Sequence, residues 1–228
     1  MIGIIGAMEI EIEKIVSKME STETKTVSGI VFTKGFIGKT EVVCAVCGVG
    51  KVFAAVCVQT MILLYKPDCI INTGVAGTLE DGIGVLDAVI ATFLVQHDMD
   101  TSFLGDSAGL ISGINVVRFY ADTALSEKLG AAAEKEGIRP FFAGVATGDC
   151  FIAGSEKKKK IKDMFGASVC EMEGAAIAHV CYINNLPFAV LRTISDGANE
   201  GAPLDYPEFV KIAAQKSADI MIRFAAEY

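Results

Sequence analysis

The stretch Ile2-Gly3-Ile4-Ile5-Gly6-Ala7-Met8-Glu9-Ile10-Glu11 sets the fold, because a short apolar run passes directly into a helical pattern. The run Ile2–Ile5 lacks the alternation of a half-exposed strand, which is typical of a strand covered on both faces. The same pairing of a short apolar run with a longer helical pattern recurs along the chain. This alternation predicts a three-layer α/β/α single domain over residues 1–228, with a central mixed and twisted sheet.

The predicted elements follow this alternation from end to end. Further strands are predicted at Glu41–Val46, Asp68–Thr73, Leu86–Val95, Phe141–Thr147 and Phe188–Ile194. Helices are predicted at Glu9–Met19, Val52–Leu64, Asp122–Glu136, Ser155–Phe165, Gly174–Asn184 and Pro207–Ala226. An antiparallel excursion, formed by Ile30–Thr33 and Lys39–Val46, makes the predicted sheet mixed.

Composition excludes several classes of protein. The 228 residues are 52% hydrophobic, and a chain of this length can bury about 70% of its surface, so it needs no disulfide or metal to fold. The net charge of −8 and the pI near 4.9 argue against nucleic acid and anionic membranes as partners. The longest apolar stretch, Val52–Tyr65, is too short to cross a bilayer.

The cysteines and the amino-terminal sequence indicate a reducing compartment. Seven cysteines, an odd number, occur within apolar runs, as reduced core thiols do. The first residues lack the basic segment of a signal peptide and lead at once into glutamates. We therefore expect a cytoplasmic protein.

Chemically useful residues follow the predicted strands. In open α/β sheets, ligands bind outside the carboxyl ends of the strands. Glycines, carboxylates, one arginine and one phenylalanine gather at that edge, in the segments Gly6–Glu11, Asn72–Gly77, Gly148–Gly154, Arg192–Asp196 and the extended piece Val169–Glu173. Structural roles are an open alternative, since Gly74 and Gly77 could serve only a tight turn, and Asp196 could be a capping residue.

Other chemistry is excluded by missing partners. No Lys-Ser/Thr follows the glycines, so there is no P-loop, and Phe53 occupies the third glycine position of a dinucleotide fingerprint that begins at Gly48. Cys44 and Cys47 lack a second pair for zinc. There is no Gly-x-Ser-x-Gly elbow. The run Lys157–Lys160 is interpreted as a solvated helical face.

Chemistry by carboxylates remains, and cleavage of a glycosidic bond suits it. One acid protonates the leaving group while another carboxylate activates water.

Five segments in order resemble a known family. They are Ile4–Glu11, Ile70–Gly77, Gly148–Ser155, Glu171–Glu173 with Ala176–Val180, and Arg192–Asp196. Together they resemble the 5′-methylthioadenosine/S-adenosylhomocysteine nucleosidases of the purine nucleoside phosphorylase superfamily, from Ile2 to about Ala225. The resemblance implies a nucleoside phosphorylase-like fold and hydrolysis of the bond between ribose and adenine in methylthioadenosine, adenosylhomocysteine and 5′-deoxyadenosine.

The resemblance also implies roles for individual residues. Glu11 is expected to activate the attacking water, and Asp196, helped by Ser195, to protonate purine N7. An aspartate can be that acid near neutral pH only if burial, or a bound purine that shares the proton, raises its ordinary pKa of about 3.9, so Asp196 is expected to be buried at the end of its strand. The ribose is expected to contact Met172, Glu173 and Arg192, and the base to contact Phe151 and Ile152. The 5′-substituent is expected to contact Met8, Val49 and Tyr206. Ala76 and Gly77 are also expected to be substrate-binding residues. Many relatives carry serine at the position of Val75, so water positioning here is expected to depend on Glu11 and Arg192.

The family further implies a homodimer with no metal and no cofactor. Thr101 and Leu104 match positions that cap the partner subunit's pocket, in a divergent loop where Ser112 replaces a frequent proline. Three alternatives stay open from the sequence. They are a purine nucleoside phosphorylase, which favours several arginines, an aminofutalosine nucleosidase of menaquinone synthesis, and a nucleoside-binding module without catalysis.

Overall fold

Ten strands and six α-helices form the part of the chain that the computed structural model describes, residues 1–197 and 206–228, with only the backbone described for Tyr206 and Pro207. The strands are β1 Ile2–Gly6, β2 Glu20–Val27, β3 Ile30–Ile37, β4 Thr40–Val46, β5 Cys69–Thr78, β6 Ala88–Gln96, β7 Phe119–Tyr120, β8 Pro140–Thr147, β9 Val169–Glu171 and β10 Phe188–Asp196. The helices are α1 Glu9–Val16, α2 Lys51–Tyr65, α3 Thr123–Lys135, α4 Ser155–Phe165, α5 Gly174–Ile183 and α6 Tyr206–Glu227.

The strands form one mixed sheet, part of which closes on itself. The order is β10-β6-β8-β9-β5-β1-β4-β3-β2, and β10 also pairs with β5. Five strands, β5, β10, β6, β8 and β9, therefore make a closed ring, from which β1, β4, β3 and β2 extend as an open sheet. In the ring, β10 runs parallel to β5 and antiparallel to β6. β5 belongs to both the ring and the open sheet, because it also pairs in parallel with β1 up to the carboxyl end of that strand.

Helices cover both faces of the sheet. On one face, α2 and α5 pack around Ala54, Cys57 and Ile177. On the other, α1, α3 and α6 pack around Ile12, Leu129 and Met221. A smaller cluster joins α4 to β6 and β8. Burial on both faces explains why the parallel strands show continuous apolar runs, and it confirms the predicted three-layer α/β/α fold.

Several boundaries differ from the sequence prediction for identifiable reasons. Strand β2 was not predicted because its sequence, Glu-Ser-Thr-Glu-Thr-Lys-Thr-Val, is polar and exposed nearly throughout. It is an edge strand held by main-chain pairing with β3. Strand β5 continues past Thr73 to Thr78, so Gly74 and Gly77 lie within a strand, which rules out the alternative that they serve only a tight turn. Ring closure supplies the pairing partners that extend it.

The cysteines mostly behave as predicted. Six are buried and unpaired, whereas Cys150 is exposed, which corrects the expectation that all lie in the core. Burial raises the pKa of the Cys44 thiol to about 12, so this thiol is a packing group. Within the two described ranges, no helix has the length and apolar content that a bilayer crossing requires.

Candidate active site

A cavity of about 230 Å³ lies at the carboxyl ends of β1, β5 and β10. This is the edge where the sequence predicted the site. Most of the predicted residues line it: Met8, Glu11, Val49, Ala76, Gly77, Phe151, Met172, Glu173, Ser195 and Asp196. The cavity walls also include Val75, Cys170 and Glu171.

Glu11 is fixed at one end of the cavity by three backbone N–H groups. Its Oε2 accepts the N–H groups of Ala7 (2.7 Å) and Met8 (2.9 Å), and its Oε1 accepts the N–H of Val75 (3.0 Å). Because Glu11 is in the first turn of α1, its carboxylate reaches back to the residue that precedes the helix. Burial raises the pKa of Glu11 above its ordinary value, although Arg192 and the N–H donors oppose this.

Two glycines of β5 make room for the two predicted catalytic carboxylates. A Cβ at Gly74 would lie 2.6 Å from Glu11 Oε1, and a Cβ at Gly77 would lie 2.6 Å from Asp196 Oδ2. The glycines are therefore required by close approach rather than by a turn. They are three residues apart, which is about 10 Å along an extended strand. The two carboxylates approach the same strand at separate points.

Asp196 ends strand β10 and is only 7% exposed. The expectation that it is buried at its strand end is confirmed. Ser195 Oγ donates to Asp196 Oδ1 (3.2 Å) and also lies 3.4 Å from the carbonyl of Ala76. Asp196 Oδ2 accepts from Lys158 Nζ at 3.3 Å. Each carboxylate oxygen thus has its own donor, which fixes the plane of the group.

A buried ionic network lies behind the cavity floor. Arg192 donates to the carboxylate of Glu171 and to the side-chain oxygen of Asn72. Glu171 also accepts from the hydroxyl of Thr147 and from the N–H groups of Glu173 and Gly174. Arg192 is 1% exposed, and the carboxylates around it raise its pKa, although burial alone would lower it. The guanidinium therefore stays charged and anchors both glutamates.

Glu173 connects this network to the cavity. Its Oε1 accepts the N–H of Gly50 (2.8 Å), and its Oε2 lies 3.9 Å from Arg192 Nη2. Burial and the neighbouring carboxylate of Glu171 raise the pKa of Glu173 to about 7. Gly50 has a φ of 101°, which favours glycine. The Gly48-Val49-Gly50 segment therefore presents an N–H to the carboxylate of Glu173.

Some predicted residues lie outside the cavity lining. Arg192 was expected to contact the ribose. Its side chain lies behind the carboxylates of Glu171 and Glu173 and does not line the cavity. The Ile152 side chain packs with α4 in the small cluster. Thr101 donates to Asp106 (2.7 Å), and Leu104 ends an exposed 3₁₀ turn. The side chain of Tyr206 falls outside the described residues.

Sequence reasoning missed the position of Lys158. The run Lys157–Lys160 was predicted to be a solvated face, and this holds for three lysines but not for Lys158, which is 5% exposed. The signal is helical spacing, because Lys158 shares a face with the buried Ile161 and Phe165. Glu171 belongs to one of the five segments that match the family, but the sequence analysis gives it no role in the site. Its signal is its place at the end of β9, beside Arg192.

The remaining motifs have structural roles. His179 stacks on Phe119 and lies 3.4 Å from the side chain of Gln96, so it is a packing residue. Among the described residues, no three His, Cys, Asp or Glu side chains are grouped so that they could hold a metal ion. The chemistry that this arrangement offers is that of fixed carboxylates around a small cavity.

The class of protein follows from comparison with known families. A family model described as the phosphorylase superfamily matches residues 1–226, which is nearly the whole chain. The chain therefore belongs to the phosphorylase superfamily. This agrees with the resemblance and the fold that the sequence predicts.

Within that superfamily, the chain belongs to the 5′-methylthioadenosine/S-adenosylhomocysteine nucleosidases, so it is an N-glycosidic hydrolase. It is 39% identical to the nucleosidase of Actinobacillus succinogenes, with 99% of this chain and 98% of the relative covered. The solved nucleosidase of Neisseria meningitidis, in complex with methylthio-immucillin-A, has a TM-score of 0.94 and 35% identity over 100% of this chain and 99% of that chain. A futalosine hydrolase mutant of Helicobacter pylori has a TM-score of 0.94 and 32% identity over the same shares.

Proposed function

We propose that this protein hydrolyses the N-glycosidic bond of 5′-methylthioadenosine and S-adenosylhomocysteine, and also of 5′-deoxyadenosine. The products are adenine and the 5-substituted ribose. The observation that carries the proposal is that Glu11 and Asp196, far apart in sequence, line one cavity and approach strand β5 at separate points. The names of the curated relatives support the choice of substrate.

Asp196 is proposed as the acid that delivers a proton to purine N7. Protonation makes adenine a better leaving group, because the electrons of the broken bond then go to a neutral base. The hydrogen bond from Ser195 helps to orient the carboxylate. Phe151, which is half exposed at the cavity wall, is proposed to stack on the base.

Glu11 is proposed as the base that removes a proton from the attacking water. Three backbone N–H groups hold its carboxylate in place. Its raised pKa brings its basicity closer to what a general base needs near neutral pH. The water attacks the ribose C1′, and the proton passes to Glu11 as the C–N bond breaks.

Glu173 and Met172 are proposed to hold the ribose. A carboxylate accepts hydrogen bonds from vicinal hydroxyls, and its charge also stabilises an oxocarbenium-like transition state. Glu171 and Arg192 keep Glu173 in position from behind. Met8 and Val49, at the cavity wall, are proposed to contact the 5′-substituent.

The cavity favours water over phosphate as the nucleophile. Four carboxylates line it, those of Glu11, Glu171, Glu173 and Asp196. Arg192 is engaged by Glu171 and does not line the cavity. A phosphate anion would be repelled there, which argues against a phosphorylase.

Release of adenine from each nucleoside tests the proposal. The purified protein should release adenine from methylthioadenosine at the same rate with and without inorganic phosphate, and free 5-methylthioribose should accumulate. A product that carries phosphate would identify a phosphorylase. Tight binding without any adenine release would identify a nucleoside-binding module.

An aminofutalosine nucleosidase is a second candidate, because a futalosine hydrolase mutant matches this fold as well as a named nucleosidase does. Its base and ribose would use the same carboxylates. Comparing kcat/KM for aminofutalosine, methylthioadenosine, adenosylhomocysteine and 5′-deoxyadenosine distinguishes the two functions.

We further propose a cytoplasmic homodimer. The exposed 3₁₀ turn Ser102–Leu104 presents Phe103, which is 100% exposed, and Leu104, which is 79% exposed. Burial of these side chains against a second copy would remove apolar surface from water. Thr101 and Leu104 are then proposed to cap the partner's pocket. The unpaired cysteines support a reducing compartment.

A further inference from the structure

Lys158 is a buried cation close to Asp196 that does not line the substrate cavity. Three of the four consecutive lysines of α4 are exposed, whereas Lys158 is 5% exposed. Burying an ammonium group costs several kcal/mol unless its partners compensate for the lost water. Ile161 and Phe165 fill the same face of α4 with apolar groups, so packing alone does not call for a cation there.

The partners of Lys158 belong to the acid end of the site. Its Nζ donates to Asp196 Oδ2 at 3.3 Å and to the carbonyl of Gly197 at 2.6 Å. Lys158 reaches them from outside, because it lines a surface groove with Glu80 and Asp81 rather than the substrate cavity. It therefore acts on the substrate only through Asp196.

We propose that Lys158 is a positioning residue for the acid Asp196. This inference rests on the proposed function, since it assigns a second residue to the same proton transfer. Ser195 fixes one oxygen of the carboxylate and Lys158 fixes the other. With both oxygens held, the remaining lone pairs keep one direction, towards the cavity. Without Lys158, the carboxylate can turn about its last side-chain bond, and its alignment with purine N7 is lost.

The alternative is that this ion pair is only a structural tie, which holds α4 against the end of β10. The two roles predict different kinetics. A structural tie affects every substrate alike, because loosening it disturbs the whole cavity. A positioning role affects only the substrates whose leaving group must be protonated. A leaving group that departs as a stable anion has no need of Asp196.

The experiment compares Lys158→Met with wild type on two substrates. The first is 5′-methylthioadenosine, whose adenine needs the proton. The second is 4-nitrophenyl 5-methylthio-β-D-ribofuranoside, whose phenolate leaves without one. We expect kcat for adenine release to fall about 10- to 100-fold, because small misplacements of a reacting group cost that much. KM for methylthioadenosine and kcat for the nitrophenyl riboside should each stay within about twofold of wild type, since ribose contacts and water activation are untouched.

Two further variants complete the test. Lys157→Met removes an exposed lysine from the same run and should match wild type on both substrates. Lys158→Arg keeps a cation at the position and should retain more adenine release than Lys158→Met. If Lys158→Met does not fold, Lys158→Arg carries the comparison and should lose kcat on methylthioadenosine alone.

The outcomes separate the hypotheses. Equal losses on both substrates, or an unchanged or increased kcat for adenine release, would overturn the positioning role. If wild type cleaves the nitrophenyl riboside but releases no adenine from methylthioadenosine, the proposed function fails instead, whatever Lys158 does. Selective loss of adenine release in the Lys158 variants supports the proposal.

Discussion

The backbone of Gly77 lies against the carboxylate of Asp196, so closely that a Cβ at residue 77 would be 2.6 Å from Asp196 Oδ2. This contact joins two strands of the closed ring, β5 and β10, at the wall of the cavity. A side chain at position 77 would have to displace the carboxylate of Asp196. The glycine is therefore part of the proposed catalytic geometry even though it carries no functional group.

Substitution of Gly77 tests that relationship. Gly77→Ala should lower kcat for adenine release about 100-fold, because a displacement of about 1 Å in a reacting group has that effect. Its thermal unfolding should change little, since the displaced atoms are the end of a side chain. The matched control is Gly82→Ala, whose added Cβ meets nothing within 4 Å. Equal activity of the two variants would contradict the close-contact argument.

The acid itself is tested by Asp196→Asn. The amide is nearly isosteric and cannot deliver a proton, so kcat for methylthioadenosine should fall about 10²- to 10⁴-fold. Circular dichroism and binding of a non-hydrolysable nucleoside analogue should show an intact fold and cavity. Nearly full activity of this variant would remove Asp196 from the proposed role.

Glu173 should make stability depend on pH. Its pKa is about 7 in the folded protein and about 4.5 in the unfolded chain. Between those values only the folded state keeps the proton, so the free energy of unfolding falls as pH rises from 4.5 to 7, by at most about 3 kcal/mol. Glu173→Gln removes this titration.

The measurement is the difference in Tm between Glu173→Gln and wild type across pH. The variant should gain relative to wild type as pH rises through that window and keep a constant advantage above it, while losing activity at every pH. A difference that does not vary between pH 4.5 and 7 would show that burial does not perturb this group.

The exposed turn predicts a specific effect on assembly. Leu104→Asp should weaken the proposed homodimer, because it places a charge where apolar surface would be buried. Sedimentation velocity over a range of concentrations should show more monomer, with reduced kcat/KM for methylthioadenosine. Met164→Asp, a change at an exposed apolar residue of α4, is the control. Identical sedimentation of the two variants would place the dimer interface elsewhere.

The part of the site that lies at strand ends could be predicted from sequence. Glu11 and Asp196 each follow a short apolar run, and a parallel sheet brings such ends together. The close approach of Gly77 to Asp196 could not be predicted, because it depends on β10 pairing with β5 across more than a hundred residues. That of Gly74 to Glu11 depends on how α1 packs against β5. Local patterns carry no information about such a pairing.

Lys158 shows a second limit of sequence patterns. A run of four lysines predicts a solvated surface, since lysine is seldom buried without a partner. Its partner, Asp196, lies in a different part of the sequence, and only the packing of α4 against the ring brings the two together. Helical spacing places Lys158 on the same face as the buried Ile161 and Phe165, but the charge of the run predicts the opposite.

Closure of the ring fixes when the enzyme can first become active during synthesis. β5 is translated early, and β10 is the last strand among the residues that the structure describes. A nascent polypeptide in which only β1, α1 and β5 have formed contains Glu11 but lacks Asp196. Only after β10 inserts between β5 and β6 does Asp196 arrive. Because Asp196 takes its place only when this distant pairing forms, ribosome-bound and truncated chains that lack β10 should have no nucleosidase turnover.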